Sequence, residues 1–157
     1  MFGGSKVYRL EQSQLIATDR KSVFGFFSDA FNLEKLTPGF LNFEILTKGP
    51  IDMQKNSVIE YRIKLFGLPM YWRTRIDRFE PDTVFIDSQI KGPYALWRHT
   101  HTFEEVPEGT LMRDIVIYKL PFGFLGTLAH FLFVRRTLKK IFDFRRDALD
   151  GSLGGAS

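Results

Sequence analysis

The chain has 157 residues, a formal net charge of +4 and no cysteine, so neither disulfides nor zinc–thiolate sites can form. It also lacks a phosphate-binding glycine loop, a Gly-x-Ser-x-Gly elbow and an apolar run of membrane-spanning length, which argues against nucleotide hydrolysis, acyl-enzyme chemistry and bilayer insertion. We therefore expect one domain over residues 1–157, located in the cytoplasm.

The predicted elements begin with a strand and two short helices, over 6–17, 20–27 and 30–36. Asp19 and Asp29 stand where helix N-caps are expected, and the second helix should end before Pro38. Four large apolar residues in the first helix cannot fit a narrow stripe, so this helix should be wedged between other elements.

Six further strands are predicted, over 43–47, 57–66, 70–80, 83–90, 97–103 and 111–120. Several alternate apolar and polar residues, and short turns connect them, a pattern typical of an antiparallel meander with one covered face. A long helix over 124–149 then covers the sheet, with an apolar side made of Leu128, Phe131, Leu138, Ile141, Phe142 and Leu149. Residues 150–157 are rich in Gly and Ser and are predicted to be a disordered tail.

The strand over 97–103 carries Trp97, His99, His101 and Phe103 on one face, because alternate side chains of a strand point the same way. A turn over 106–109 would fold the chain back, and these four residues would then face, in order, Tyr118, Val116, Asp114 and Met112. A few polar groups on an apolar wall are typical of a small-molecule pocket. With most aromatic residues on inner faces, we expect no nucleic-acid binding.

This order of elements resembles the helix-grip fold of the START and Bet v 1-like (SRPBCC) superfamily, over residues 6–149. The chain is similar to its bacterial ligand-binding and polyketide cyclase/dehydrase branches through Val23-Phe24, Phe27-Ser28-Asp29, Tyr61, Trp72-Arg73-Thr74-Arg75-Ile76, Gly92-Pro93-Tyr94, Trp97-Arg98-His99-Thr100-His101-Thr102-Phe103, Asp114, Tyr118, Pro121 and Phe144-Arg145. The resemblance implies an α+β protein whose curved antiparallel sheet of about seven strands wraps around the C-terminal helix.

The resemblance also implies a cavity between sheet and helix for a hydrophobic or amphipathic molecule. By strand alternation, its predicted ligand-binding residues are Tyr61, Ile63, Trp72, Thr74, Trp97, His99, His101, Phe103, Asp114, Val116 and Tyr118, with Phe142 from the helix. We expect non-covalent binding, with transfer as an extension, of a lipid-, quinone- or polyketide-like molecule. Burial of apolar ligand surface would supply the driving force.

The predicted pair of His101 and Asp114 admits three interpretations. It can fix the register of the sheet, as buried polar pairs do, it can contact a ligand, or with Tyr118 it can move protons in a cofactor-independent cyclase or dehydrase. A fourth use, in which His99, His101 and Asp114 hold a metal, is disfavoured by the resemblance, and His130 is too far along the chain to be predicted as a further ligand. We expect no metal and no cofactor.

The C-terminal helix carries two further features. Arg145 shares the apolar side, so it needs an acidic partner such as Asp29 or an anionic ligand group. Residues at the helix start are apolar almost all round, and a basic stripe of Arg135, Arg136, Lys139 and Lys140 follows. The stripe is typical of a solvated helix face, with binding to an acidic membrane surface or partner as the alternative. The apolar start carries Phe122, Phe124, Phe131, Phe133 and Val134, and it alternatively suits a protein- or membrane-interaction module or a homodimer.

Overall fold

A computed structural model describes residues 6–65 and 67–153 of the chain. Its seven strands are β1 (Val7–Ile16), β2 (Glu44–Ile45), β3 (Val58–Leu65), β4 (Leu68–Glu80), β5 (Val84–Lys91), β6 (Leu96–Val106) and β7 (Gly109–Lys119). The helices are α1 (Arg20–Phe27), α2 (Gly123–Ala129) and α3 (Arg135–Leu153), with a π segment over His130–Val134 joining the last two. Two 3₁₀ turns lie over Ala30–Leu33 and Gly39–Leu41.

All seven strands form one antiparallel sheet in the order β1-β7-β6-β5-β4-β3-β2. The predicted meander and the α+β class are therefore confirmed. Two register shifts between β4 and β5, at Arg73/Thr74 and at Ile76/Arg78, mark bulges, which increase the local bend and twist of a sheet. β1 pairs with the last strand of the meander.

The register between β6 and β7 is the predicted one, because Trp97 pairs with Tyr118 and His101 pairs with Asp114. The connection closes at Val106 and Gly109. Gly109 has a φ of 137°, and a Cβ there would lie 2.2 Å from the carbonyl oxygen of Ile16. The turn therefore requires glycine for its backbone conformation and for the close approach of the neighbouring chain.

Two sets of buried side chains hold the helices on the sheet. The first surrounds α1, where Val23, Phe24 and Phe27 are buried against Phe103 and Leu149, so the predicted wedging of α1 is confirmed. The second lies under α3 and contains Trp72, Trp97, Val116, Tyr118, Leu138 and Phe142. A cavity lined by residues of the sheet and of α3 lies beside these two sets.

Several predicted bounds differ from the structure. The second short helix is a 3₁₀ turn that ends at Leu33, because Asp29 caps a short run and the following backbone bonds keep i→i+3 spacing. The predicted strand over 43–47 is reduced to β2. α3 continues to Leu153, past the predicted end at Leu149, so the predicted tail is helical over 150–153, while 154–157 lie outside the described residues.

No helix in the described part of the chain combines the length and the apolar composition needed to cross a bilayer. The single-domain organisation and the cytoplasmic location stay predictions.

Candidate functional site

A cavity of about 190 Å³ lies between the sheet and α3. α3 contributes Leu138, Ile141, Phe142 and Arg145 to its wall, and strands β3 to β6 supply the opposite side. Eight of the predicted ligand-binding residues line it: Tyr61, Ile63, Trp72, Thr74, Trp97, His99, His101 and Phe142.

The other four predicted residues do not line this cavity, because helices pack directly on their part of the sheet. Phe103 packs against Phe24 of α1, with ring centroids 5.2 Å apart. Val116 is fully buried beneath α3, and Asp114 on the same strand reaches the cavity only through its neighbours. Tyr118 faces β1 and the π segment, where its hydroxyl lies 2.7 Å from Nε2 of His130.

Five polar side chains meet beside the cavity, and we call Asp87, His99, His101, Asp114 and Arg145 the charged cluster; all of them except Asp114 line the cavity. Oδ1 of Asp114 lies 2.8 Å from His99 Nε2, 3.1 Å from His101 Nδ1 and 3.6 Å from Arg145 Nη2. Oδ2 of Asp87 lies 2.8 Å from His101 Nε2. The predicted pair of His101 and Asp114 is therefore present, but it is one contact in a larger network.

Each ring nitrogen of His101 faces a carboxylate, Nε2 that of Asp87 and Nδ1 that of Asp114, and this favours the charged form of the ring. Burial opposes this charge, but hydrogen bonds to Asp114 and Asp87 raise the pKa of His101 above its ordinary value. Burial and the adjacent charged His101 lower the pKa of His99 to about 4, so His99 is neutral and donates from Nε2. Although burial opposes its ionisation, Asp114 has a pKa well below the usual range, chiefly because Arg145 is close. The directions of these shifts favour a cluster in which the carboxylates of Asp87 and Asp114 face Arg145 and a charged His101.

Arg145 is buried and has Asp114 as its acidic partner, whereas Asp29, the other acid named from the sequence, caps a 3₁₀ turn. The guanidinium carbon of Arg145 also lies 5.1 Å from the ring centroid of Phe27 and 5.9 Å from that of Phe142. These contacts are cation–π interactions in a desolvated setting. The prediction that Arg145 needs a partner on the apolar side is confirmed.

Two buried donors, on side chains that line the cavity, have no hydrogen-bond partner among the described residues. They are Nε1 of Trp72 and Nε of Arg145, and both residues line the cavity. A buried donor without an acceptor is unfavourable, so a bound molecule with acceptor atoms would satisfy what the protein leaves open.

The predicted catalytic set of His101, Asp114 and Tyr118 is not brought together. The Tyr118 hydroxyl pairs with His130, which in turn stacks on Tyr8 with ring centroids 3.5 Å apart. Asp87 is the residue that sequence reasoning missed. It pairs with His99 in the register between β5 and β6, so a correct pairing of those two strands would have identified it.

Asp87, His99 and His101 also have ligand-type atoms that all lie within 4.8 Å of one another. They would be the residues to hold a metal, rather than the set with Asp114 considered from the sequence. A cation there would have to displace the hydrogen bonds of both histidines. It would also stand beside Arg145, whose Nη2 is 3.5 Å from Nδ1 of His101, so the cluster is a poor match to a cation.

Fold and cavity together define a helix-grip protein, and comparison with known proteins agrees. The chain is similar to the ZhuI aromatase/cyclase from Streptomyces sp. R1128, with a TM-score of 0.73, 16% identity and coverage of 96% of this chain and 100% of that one. It is also similar to the major latex-like protein 151 from Panax ginseng, with a TM-score of 0.66, 10% identity and coverage of 96% of this chain and 99% of that one. A protein of unknown function from Staphylococcus aureus is similar as well, with a TM-score of 0.68, 15% identity and coverage of 94% of this chain and 96% of that one.

Residues 16–142 match the family model described as polyketide cyclase / dehydrase and lipid transport. The chain therefore belongs to this family, within the START and Bet v 1-like superfamily that the sequence resembles. A search of curated protein sequences gives no match.

Proposed function

We propose that this protein binds, without a covalent bond, a flat hydrophobic molecule that carries a neutral hydrogen-bond acceptor, such as a quinone- or polyketide-like compound. The observation that carries this proposal is the presence of two unpartnered buried donors, Trp72 Nε1 and Arg145 Nε, on side chains that line an apolar cavity. Transfer of the molecule to another site is an extension of the same function.

The shape of the wall favours an unsaturated ring system over a flexible chain. Trp72 stacks on Tyr61 with centroids 5.6 Å apart and meets Trp97 edge-on at 5.3 Å. The ring centroid of Tyr94 lies 4.7 Å from that of Trp97. Aromatic side chains arranged in this way present both faces and edges to a guest, and such contacts add to the effect of burial.

The electrostatics favour a neutral acceptor over a carboxylate. With His101 charged, the charged cluster is balanced, because Arg145 and His101 are opposed by Asp114 and Asp87. A ligand carboxylate would place an uncompensated charge in a desolvated site, which is costly. A ketone or quinone oxygen accepts a hydrogen bond without that penalty.

Replacing Trp72 by phenylalanine tests this argument with a pair of probes of similar shape, acetylnaphthalene and ethylnaphthalene, of which only the first carries an acceptor. We expect Trp72→Phe to weaken acetylnaphthalene binding about fivefold, the worth of one hydrogen bond, and ethylnaphthalene binding less than about twofold. Quenching of the remaining Trp97 fluorescence measures both affinities, because Trp97 also lines the cavity.

The matched control is Trp97→Phe, which removes the same ring from the same wall and leaves Trp72 as the reporter. This variant should change the two affinities by equal factors. An equal loss of both probes in Trp72→Phe would show that only packing was removed and would contradict the proposed hydrogen bond.

Proton transfer in an aldol-type cyclisation or dehydration is the second candidate function. It is favoured by Asp87, a carboxylate on the cavity wall that is hydrogen-bonded to the charged ring of His101. In this role Asp87 would remove a proton from the carbon beside a ligand carbonyl and return it after the bond change. Asp87 thus takes the place of Tyr118 in the catalytic set of His101, Asp114 and Tyr118 that the sequence predicts.

This second function predicts that the protein accelerates exchange of the acetyl methyl protons of acetylnaphthalene in heavy water, measured by mass spectrometry. Asp87→Asn should return the rate to that of buffer, whereas Asp143→Asn on the exposed side of α3 should not change it. Exchange at the buffer rate in the wild type, with the probe bound, would leave binding as the function.

A further inference from the structure

A continuous apolar surface covers α2 and the π segment. Phe122, Phe124 and Phe131 have 82%, 78% and 74% of their surface exposed, and Leu125 has 66% exposed. Leu128 and Leu132 extend the patch. Exposed apolar patches of this kind mark interaction sites.

The cause of this exposure lies in how α2 meets the turn that precedes it, over 120–122. Gly126 and His130 are the buried residues of this segment, and a Cβ on Gly126 would lie 2.2 Å from the carbonyl oxygen of Pro121. The small residue lets the helix approach closely on that side. Leu128 and Phe131 were predicted from periodicity to face the sheet, but they face outward. The π segment shifts the helical phase between α2 and α3, so the period that fits α3 does not continue into α2.

Basic residues border this surface on two sides. Arg135, Arg136, Lys139 and Lys140 are exposed on the first turns of α3. A groove of about 450 Å³ between β1 and the helix is lined by Lys6, Arg9, His130 and Arg135, and no acidic residue of the described chain lines it. Arg9 pairs with Glu11 and Lys139 with Asp143, which leaves Lys6, Arg135, Arg136 and Lys140 as the main positive charges.

We propose that this surface, formed by Phe122, α2, the π segment and the basic residues of α3 and the groove, docks on an anionic lipid bilayer. The apolar side chains would enter the interface while the basic groups meet lipid phosphates, the arrangement of interfacial helices. A second copy of the chain would bring its own positive charges against these, so charge complementarity favours the lipid surface. We call this surface the docking face.

The docking face adjoins the cavity, since Val134 of its π segment and Thr137 and Leu138, which lie between its basic residues, line the cavity wall. An apolar ligand would therefore pass between bilayer and cavity without crossing much water. The docking proposal does not rest on the proposed function. Docking depends on the outer surface of the helix, whereas ligand binding depends on the inner surface that lines the cavity.

Vesicle co-sedimentation tests the docking face. We expect the wild type to bind vesicles of equimolar phosphatidylserine and phosphatidylcholine and not vesicles of phosphatidylcholine alone, with binding lost at high salt. The double variants Phe124→Ser/Phe131→Ser and Arg135→Gln/Arg136→Gln should each weaken binding about tenfold or more. All replaced side chains are exposed, so the fold and acetylnaphthalene binding should be retained.

The matched controls are Phe40→Ser, an exposed phenylalanine outside the docking face, and Lys21→Gln on α1, and both should bind vesicles like the wild type. Equal binding to neutral and anionic vesicles, or no binding by the wild type, would overturn the proposal. So would a concentration-dependent dimer in sedimentation velocity that the Phe124→Ser/Phe131→Ser variant abolishes, because the face would then be a contact between copies.

Discussion

Replacing Asp114 by alanine is expected to lower the free energy of unfolding by about 3–5 kcal/mol, the range for breaking a buried ion pair. The Asp114 carboxylate contacts His99, His101 and Arg145, and its side chain is 9% exposed. Its removal leaves the charged Arg145 and His101 without one of their two anions. Urea unfolding followed by far-UV circular dichroism at neutral pH measures the loss.

The matched control for Asp114→Ala is Asp143→Ala on the exposed side of α3. Asp143 pairs with Lys139 at 2.8 Å in an i,i+4 arrangement, and such exposed pairs contribute about 0.3–0.5 kcal/mol. A loss in Asp114→Ala no larger than in the control would contradict the central place that the structure gives to this carboxylate. Asp114 does not line the cavity, so we assign it to supporting the cluster.

The second large effect is a loss of stability in mild acid that is caused by His99. The pKa of His99 is lowered to about 4 in the fold, whereas an unperturbed histidine titrates near 6.5. Between these values the unfolded chain binds the extra proton, so stability falls as pH falls. From neutral pH to about pH 4.5 the wild type should lose about 2 kcal/mol through this residue.

The His99→Gln variant should lack most of this loss, because glutamine can donate a hydrogen bond from a similar position and does not titrate. His101 does not add to the effect, since its raised pKa keeps it charged in both states below its ordinary value. Its stabilisation is lost only as pH rises through the folded pKa. Asp87 and Asp114 have lowered pKa values, so their contribution is lost only in stronger acid.

His130→Gln serves as the control for this pH dependence. The pKa of His130 is also lowered, by burial and then by Arg135 and Lys6, so His130 contributes to the acid loss as well. Because the shift of His99 is the larger one, the His130→Gln variant should retain most of the loss between neutral pH and about pH 4.5. An unchanged acid loss in His99→Gln, measured by urea unfolding at both pH values, would assign the effect to another group.

Strand alternation was sufficient to predict the register of β6 and β7, because a single turn joins them and each side chain has a fixed face. The second carboxylate that contacts His101, Asp87 on β5, was not predictable in the same way. Its contact with Asp87 depends on β5, whose pairing with β4 contains two register shifts. A bulge inserts a residue into the alternation, so the sequence pattern alone does not specify which face follows it.

Helical periodicity predicted the buried side of α3 at Leu138, Phe142 and Leu149, all of which are buried. The same period, extended backward, gave the wrong side for Leu128 and Phe131, because the π segment interrupts the helix. The sequence predicted the correct face of the sheet for Phe103 and Val116, but these two residues do not line the cavity as predicted. Whether a covered face borders space or a helix depends on packing, which alternation does not contain.

The central claim is that a ligand acceptor satisfies the indole of Trp72, and a proton–nitrogen correlation spectrum tests it most directly. The chain has two tryptophans, so two indole resonances are expected, and the Trp72→Phe variant assigns them. The account predicts that acetylnaphthalene moves the Trp72 indole proton downfield, as a new hydrogen bond does, while ethylnaphthalene does not. An unmoved Trp72 resonance at a saturating concentration of acetylnaphthalene, with quenching of the tryptophan fluorescence showing that it is bound, would contradict the account.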